Sequence, residues 1–390
     1  MNTHVLIVDK NTLKYHLEHQ FFGTGAKEYN IDFNSQGSSK LTGNQEGLLV
    51  SMIADGERVR KGDLIIFYLQ QSLSGNILEG KFYGVFRTID DGIFLDNFTA
   101  DQYLYKKLGK SLTFRGLIEP YEVFPEGVTE WEALDEIKSI QSPCQMLWSL
   151  IYRKLKGNRG NTMITIYEAD KLINLIKAKN RNTSLKTQGM LTFNETAQII
   201  EVVKDKSTKY CGKQEKINIL PRLINKQISK KAFEVHLQAY ITQNIGKRVN
   251  STLDNSILTG GYSVTWIGNE VSCGVGMQRI DIAVEEERKD IAYDRIINAI
   301  ELKCKPCDSS NLRQINRYIS WLEQYYLPNR PCAIQPVLLG PEQDVQSKRY
   351  IDLVTAFKEF NDSVNPMVRA IKYIEFTIVS DNLVFRVVDY

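Results

Sequence analysis

Two short runs in the second half of the chain place charge where an apolar strand pattern leaves no room for it. Arg279-Ile280-Asp281-Ile282-Ala283 and Ala299-Ile300-Glu301-Leu302-Lys303 are strand-length and rich in isoleucine. Alternation along a strand puts Ile280 and Ile282 on one face and Asp281 on the other. In the second run Ile300 and Leu302 share a face, while Glu301 and Lys303 share the opposite one. Strands with such flanks are central, and a charge there is costly without a purpose. If the two strands are neighbours, Asp281, Glu301 and Lys303 converge on one patch. A surface ion pair between Glu301 and Lys303 is the plain alternative, and the apolar flanks weaken it. Two carboxylates bind a hard divalent cation such as Mg²⁺ through oxygen. A lysine beside them can orient a water and offset charge on a phosphate.

The surrounding pattern is a mixed α/β layer structure. Helices are expected over 226–244, 311–326 and 350–360, with strands over 262–266, 278–284, 297–303, 333–339, 371–378 and 383–388. Leu312, Ile315, Ile319, Leu322 and Tyr326 follow the spacing of a buried helical face, and Gln314, Tyr318, Trp321 and Tyr325 form a second stripe beside it. In the earlier helix Phe233, Leu237, Tyr240 and Ile241 make the buried face, with Glu234 at its edge. On position alone, Glu234 is equally a further carboxylate for the metal or an exposed helix charge.

Glu234 on a leading helix, Asp281 in a strand, Glu301-Leu302-Lys303 in the next strand and Gln314-Ile315-Asn316-Arg317-Tyr318 on the following helix resemble the PD-(D/E)xK nuclease superfamily. The Gln-x-x-x-Tyr segment is similar to the variant found in RecB-like and mismatch-type endonucleases. The resemblance spans roughly residues 228–340. It implies Mg²⁺-dependent phosphodiester hydrolysis, with Asp281 and Glu301 as metal ligands and Lys303 positioning the attacking water. Gln314 and Tyr318 would support the site or contact DNA, and Glu234 would add a carboxylate. The proline usual before the aspartate is absent, and Ile280 stands in its place.

Charge along the chain is uneven. The formal net charge is only +3, yet residues 141–231 hold 18 Lys and Arg against 6 Asp and Glu. A local net of +12 suits a polyanion partner, although a solvated Lys-rich linker fits it equally well. Within it, the run 153–159 brings Arg153, Lys154, Lys156 and Arg159 next to glycines that let backbone approach a phosphate. These four are the candidate DNA contacts outside the nuclease-like segment.

The first half reads as β-rich. Residues 48–53, 64–69 and 82–86 are strand-length apolar runs, and the turn residues between them imply a small barrel or strongly curved sheet. Lys61-Gly62-Asp63-Leu64-Ile65-Ile66-Phe67-Tyr68, followed by Gly80-Lys81-Phe82-Tyr83-Gly84-Val85-Phe86, resembles the PUA superfamily, particularly its EVE and YTH-like domains. That resemblance implies a pocket for a flipped, often modified base. Tyr68, Tyr83, Trp131 and Trp148 are candidate cage aromatics, though for any single one of them a core position is the better reading. The expected division is a reader over 1–182, a basic linker over 183–226 that could hold a helix at 191–203, and a nuclease domain over 227–390. The fold class is α/β with a β-rich amino-terminal domain.

Other chemistries find little footing. Four histidines occur, and only His236 lies beyond residue 20, which excludes a His-metal nuclease finger. Cys304-Lys305-Pro306-Cys307 has zinc-knuckle spacing, but the remaining cysteines are scattered singly and a closed site needs four ligands. No run of 18 apolar residues predicts a membrane span. With no export signal and few cysteines, reduced thiols and a cytoplasmic location are expected. The function this adds up to is a restriction endonuclease acting on double-stranded DNA at a sequence or a modified base, as a homodimer. The alternatives are a structure- or mismatch-specific repair endonuclease and an inactive nuclease fold that only binds nucleic acid.

Overall fold

The apolar runs at 64–69 and 82–86 do form paired strands, and a large sheet is built around them. The computed structural model describes residues 1–25, 32–33, 41–147, 160–186, 188–205, 208–229, 231, 233–273 and 278–390. The chain divides into two units, one of residues 1–32, 39–142 and 146–217, the other of 33–38, 143–145 and 218–390. No helix among the described residues is long and apolar enough to cross a membrane.

In chain order the first unit carries β1 (Thr3–Val8), α1 (Lys10–Glu18), β2 (Phe21–Thr24), α2 (Gly43–Glu57), β3 (Leu64–Leu69), β4 (Lys81–Thr88), β5 (Phe94–Leu95), α3 (Tyr105–Leu108), β6 (Phe114–Pro120), β7 (Val128–Thr129) and α4 (Glu130–Asp135). It continues with β8 (Asn161–Ile164), α5 (Ile166–Lys179), β9 (Met190–Asn194), β10 (Ile199–Val203) and β11 (Glu215–Lys216). Nine strands make one curled, half-barrel sheet in the order β11-β5-β6-β4-β3-β1-β8, with β2 on β6 and β7 on β4. Every residue of β3 is buried, which is what a central strand with a continuous apolar sequence requires. Its neighbour β1 runs parallel to it and β4 antiparallel.

Two parts of this unit depart from expectation. The run 48–53 is helical, inside α2, rather than a strand. Thr42 and Gln45 form a capping box at its start, and Leu49, Val50, Met52, Ile53 and Ala54 are all buried. A helix buried this fully loses the polar stripe that would distinguish it from a strand. The stretch 190–203 is the β9–β10 hairpin, not a helix. Asn194 Oδ1 accepts from the backbone N–H of Thr196 and Ala197, and this local turn reverses the chain. Residues 183–217, expected within a linker, therefore include paired strands of the first unit.

His16 lies wholly inside this unit, with its ring 4.7 Å from that of Phe21 and 5.5 Å from that of Phe67. Its Nδ1–H donates to the Phe21 carbonyl at 3.0 Å, and burial pushes its pKa down to about 3. The folded state therefore refuses a proton that the unfolded chain accepts near pH 6.5. Stability from this site is complete above that value and is lost as pH falls toward 3, by about 1.4 kcal/mol per pH unit. Urea unfolding at pH 7.5 and 5.5 should show a steeper acid loss for wild type than for His16→Gln. Equal losses would mean that His16 does not titrate this way.

The second unit carries α6 (Leu220–Ile228), α7 (Glu234–Asn244), α8 (Ser251–Ile257), β12 (Tyr262–Ser272), β13 (Arg279–Arg288), β14 (Arg295–Leu302) and α9 (Leu312–Trp321), which runs on into a π-turn at Leu322–Tyr326. After it come β15 (Ala333–Pro341), α10 (Lys348–Ser363), β16 (Lys372–Val379) and β17 (Asn382–Val387). Six strands form a mixed sheet in sequential order, parallel only across β14–β15 and β15–β16. The expected helix over 226–244 is two helices, the second beginning after Phe233. β13 and β14 are antiparallel neighbours inside the sheet, each paired on both sides, as their flanking isoleucines require.

Candidate active site

The β13–β14 ladder runs from Glu287–Arg295 to Ile282–Ile300. One step beyond it, Asp281 Oδ2 accepts the backbone N–H of Leu302 at 2.8 Å. The side chain takes over where the ladder ends, so Asp281 is held by the very strand that carries Glu301. Leu302 continues in register with Leu339 of β15, and Lys303 N–H donates to the Leu339 carbonyl at 2.8 Å, which keeps the end of β14 extended.

Glu301 is 1% exposed and carries two charge-assisted contacts. Lys303 Nζ donates to its Oε1, and the Tyr318 hydroxyl of α9 donates to its Oε2. Glu234, in the first turn of α7, feels the charges of Lys303 and Glu301. Gln238, one turn later on α7, donates from Nε2 to the Asp281 carbonyl at 2.8 Å. Asp281, Glu301, Lys303, Glu234 and Tyr318 are thus brought together. Gln314 lies one turn before Tyr318 on α9, half-buried.

The electrostatics follow from crowding. Burial, then the Glu301 charge, hold the Asp281 carboxyl well above the usual carboxylate range. Burial and Glu301 likewise raise Glu234, against the pull of Lys303. Burial opposes the Lys303 ammonium, but Glu301, Glu234 and Asp281 outweigh it and hold the pKa above that of an ordinary lysine. Lys303 is therefore a cation at neutral pH, a donor and an electrostatic element rather than a base. Burial and Glu301 also raise Tyr318, so its phenol keeps its proton and its donor role.

Among the described residues no group of three or more His, Cys, Asp or Glu side chains has the arrangement of a preformed metal site. The donor chemistry still suits a hard cation. Two carboxylates are held on one face at a cost in mutual repulsion, and Asp281 commits only one oxygen to Leu302. Mg²⁺ takes few protein oxygens and keeps several waters, so this sparse pair fits it. Cys304 is half-buried and Cys307 is buried; both are free thiols.

Gln238 and the Leu302 N–H were not singled out from sequence. Gln238 did leave a trace, as a polar side chain beside the buried face of α7. Arg153, Lys154, Lys156, Arg159 and Trp148 lie outside the described residues. Tyr68 and Tyr83 are core residues, not an open cage: they are 1% and 0% exposed. Tyr68 hydroxyl donates to Glu130, and Tyr83 hydroxyl donates to the Gln198 carbonyl at 2.8 Å. Trp131 is exposed on α4.

Tyr318→Phe tests how the site is held. It strips a donor from a buried carboxylate, which costs about 1–3 kcal/mol. The urea midpoint should fall accordingly, and an unchanged midpoint would remove Tyr318 from the support of Glu301.

No known protein-family model matches the chain, and no curated protein matches it in sequence. Among solved structures, similarity is found to a hypothetical protein from Leishmania major, at 12% identity and a TM-score of 0.29, over 46% of this chain and 96% of that one. It is also found to the human THYN1 protein, solved in complex with 5-methylcytosine containing DNA, at 8% identity and a TM-score of 0.26, over 45% of this chain and 98% of that one. Both scores are too low to carry weight for fold or function. The site must speak from its own geometry.

Proposed function

We propose that the chain is a Mg²⁺-dependent DNA endonuclease of the PD-(D/E)xK type, cutting double-stranded DNA at a defined sequence or a modified base. The observation that carries this reading is the meeting of Asp281, Glu301, Lys303 and Glu234 from two central strands and one helix. A sheet interior has no structural need for three crowded carboxylates and a lysine, and their repulsion is a standing cost. Metal-assisted phosphodiester hydrolysis has a use for that arrangement.

In this mechanism Asp281 and Glu301 would hold Mg²⁺, with Glu234 as a further carboxylate beside them. The bound cation would supply Lewis-acid polarisation of the scissile phosphate and acidify a water. Lys303, fixed on Glu301, donates to the attacking water and offsets charge building on the phosphate oxygens. Tyr318 keeps Glu301 in place, and the Leu302 N–H does the same for Asp281. Cutting both strands from one such centre per chain calls for two copies, so the proposal includes a homodimer. The first unit is the proposed reader of base identity, in keeping with its PUA-like sequence pattern.

Incubation with methylated and unmethylated phage DNA in Mg²⁺ tests the substrate. Discrete fragments from one of the two support restriction. Cleavage only of mismatched or branched duplexes would move the reading to repair, and binding without cleavage of any substrate would sink it.

A further inference from the structure

We infer that Gln238 is a positioning residue for the proposed cation site, fixing Asp281 relative to Glu234. This rests on the metal-dependent reading above and extends it to a residue whose side chain makes no contact with the reacting atoms.

The geometry is specific. Gln238 is 5% exposed on α7, and its amide reaches across to the Asp281 carbonyl on β13 at 2.8 Å. Four residues earlier, and so on the same side of the helix, Glu234 lies within reach of the charges of Lys303 and Glu301. The helix that carries Glu234 is therefore tied to β13 through Gln238. That tie defines where Glu234 stands with respect to Asp281. A buried glutamine is an expensive way to pack a helix on a sheet, because an apolar side chain of equal volume would do so without an amide to satisfy. What an apolar side chain could not do is fix the helix at one point along β13. The Asp281 backbone is that point, and its side chain is already bound to Leu302. The residue that presents the carboxylate is thus gripped on both main chain and side chain.

Asn244 provides an internal comparison. It lies at the other end of α7, is also buried, and its amide donates to a carbonyl, that of Tyr240 in its own helix, at 2.8 Å. Removing it disturbs the same helix without loosening the tie to β13.

Calorimetric titration with CaCl₂ and with MgCl₂ reads the difference without relying on activity. Gln238→Met, close in shape but without the donor, should bind both cations about tenfold more weakly or worse, the usual effect of losing a group that orients a ligand. Asn244→Leu should retain wild-type affinity at comparable thermal stability. Should Gln238→Met fail to fold by circular dichroism, Gln238→Asn keeps the amide but shortens its reach, and should show the same weakening. Wild-type affinity in a folded Gln238 variant, or an equal loss in Asn244→Leu, would overturn the inference. If the wild-type protein binds neither cation, the metal-dependent reading fails and takes this inference with it, an outcome distinct from loss in the variant alone.

Discussion

Replacing Asp281 or Glu301 by alanine should abolish DNA cleavage while duplex binding survives. Each is one of two carboxylates available to a cation on the central strands, and each is fixed by its own partner, Leu302 N–H for Asp281 and Tyr318 with Lys303 for Glu301. Losing one would leave a cation only one of the two strand carboxylates, with Glu234 beside it, and several kcal/mol of transition-state stabilisation would go with it. That corresponds to a rate loss of about 10³-fold or more. Alanine at 281 also leaves the Leu302 N–H without its acceptor, at a cost of about 1–3 kcal/mol in stability. Asp281→Asn avoids this, because an amide oxygen can still accept, and it should be equally inactive. Phosphate contacts made elsewhere are untouched, so a mobility-shift assay should find the duplex still bound. Full cleavage by either alanine variant would remove these residues from the active site.

Lys303→Met should lower the cleavage rate by about 10²–10³-fold while divalent-cation binding is kept. The ammonium stays charged because three carboxylates outweigh its burial, so its contribution is positive charge and a donor at the phosphate. It also neutralises Glu301, and taking it away leaves the carboxylate pair more negative. Cation affinity should therefore hold or tighten as the rate falls. Calorimetry and single-turnover kinetics on the same variant separate the two effects. Loss of cation binding with the rate would make Lys303 a structural residue.

Much of the second unit was legible because its elements are long and periodic. The central strands announced themselves through isoleucine flanks, and the charges inside them pointed to one face. What a strand pattern cannot show is where a ladder ends. The Asp281–Leu302 contact exists because the β13–β14 ladder stops at Ile282–Ile300, and nothing in either run marks that step. Gln238 was missed for a related reason, since its partner is a backbone carbonyl that carries no sequence signal. In the first unit α2 reads like a strand because it is buried nearly all round, and the β9–β10 hairpin is masked by its polar surroundings. Tyr68 and Tyr83 show the limit of composition as a guide. Aromatics near a curved sheet suggest a base cage, yet these two rings are buried and their hydroxyls are spent on Glu130 and the Gln198 carbonyl.

The decisive measurement is cleavage of duplex DNA by the full chain, with supercoiled plasmid carrying native and methylated sites followed over time in Mg²⁺, in EDTA, and in Mg²⁺ with Glu301→Gln. Nicked and linear products from the wild-type protein in Mg²⁺ alone, absent from the other two reactions, are the predicted result. Intact plasmid in all three, or equal cutting by wild type and Glu301→Gln, would contradict the assignment of phosphodiester hydrolysis to the Asp281–Glu301–Lys303 patch.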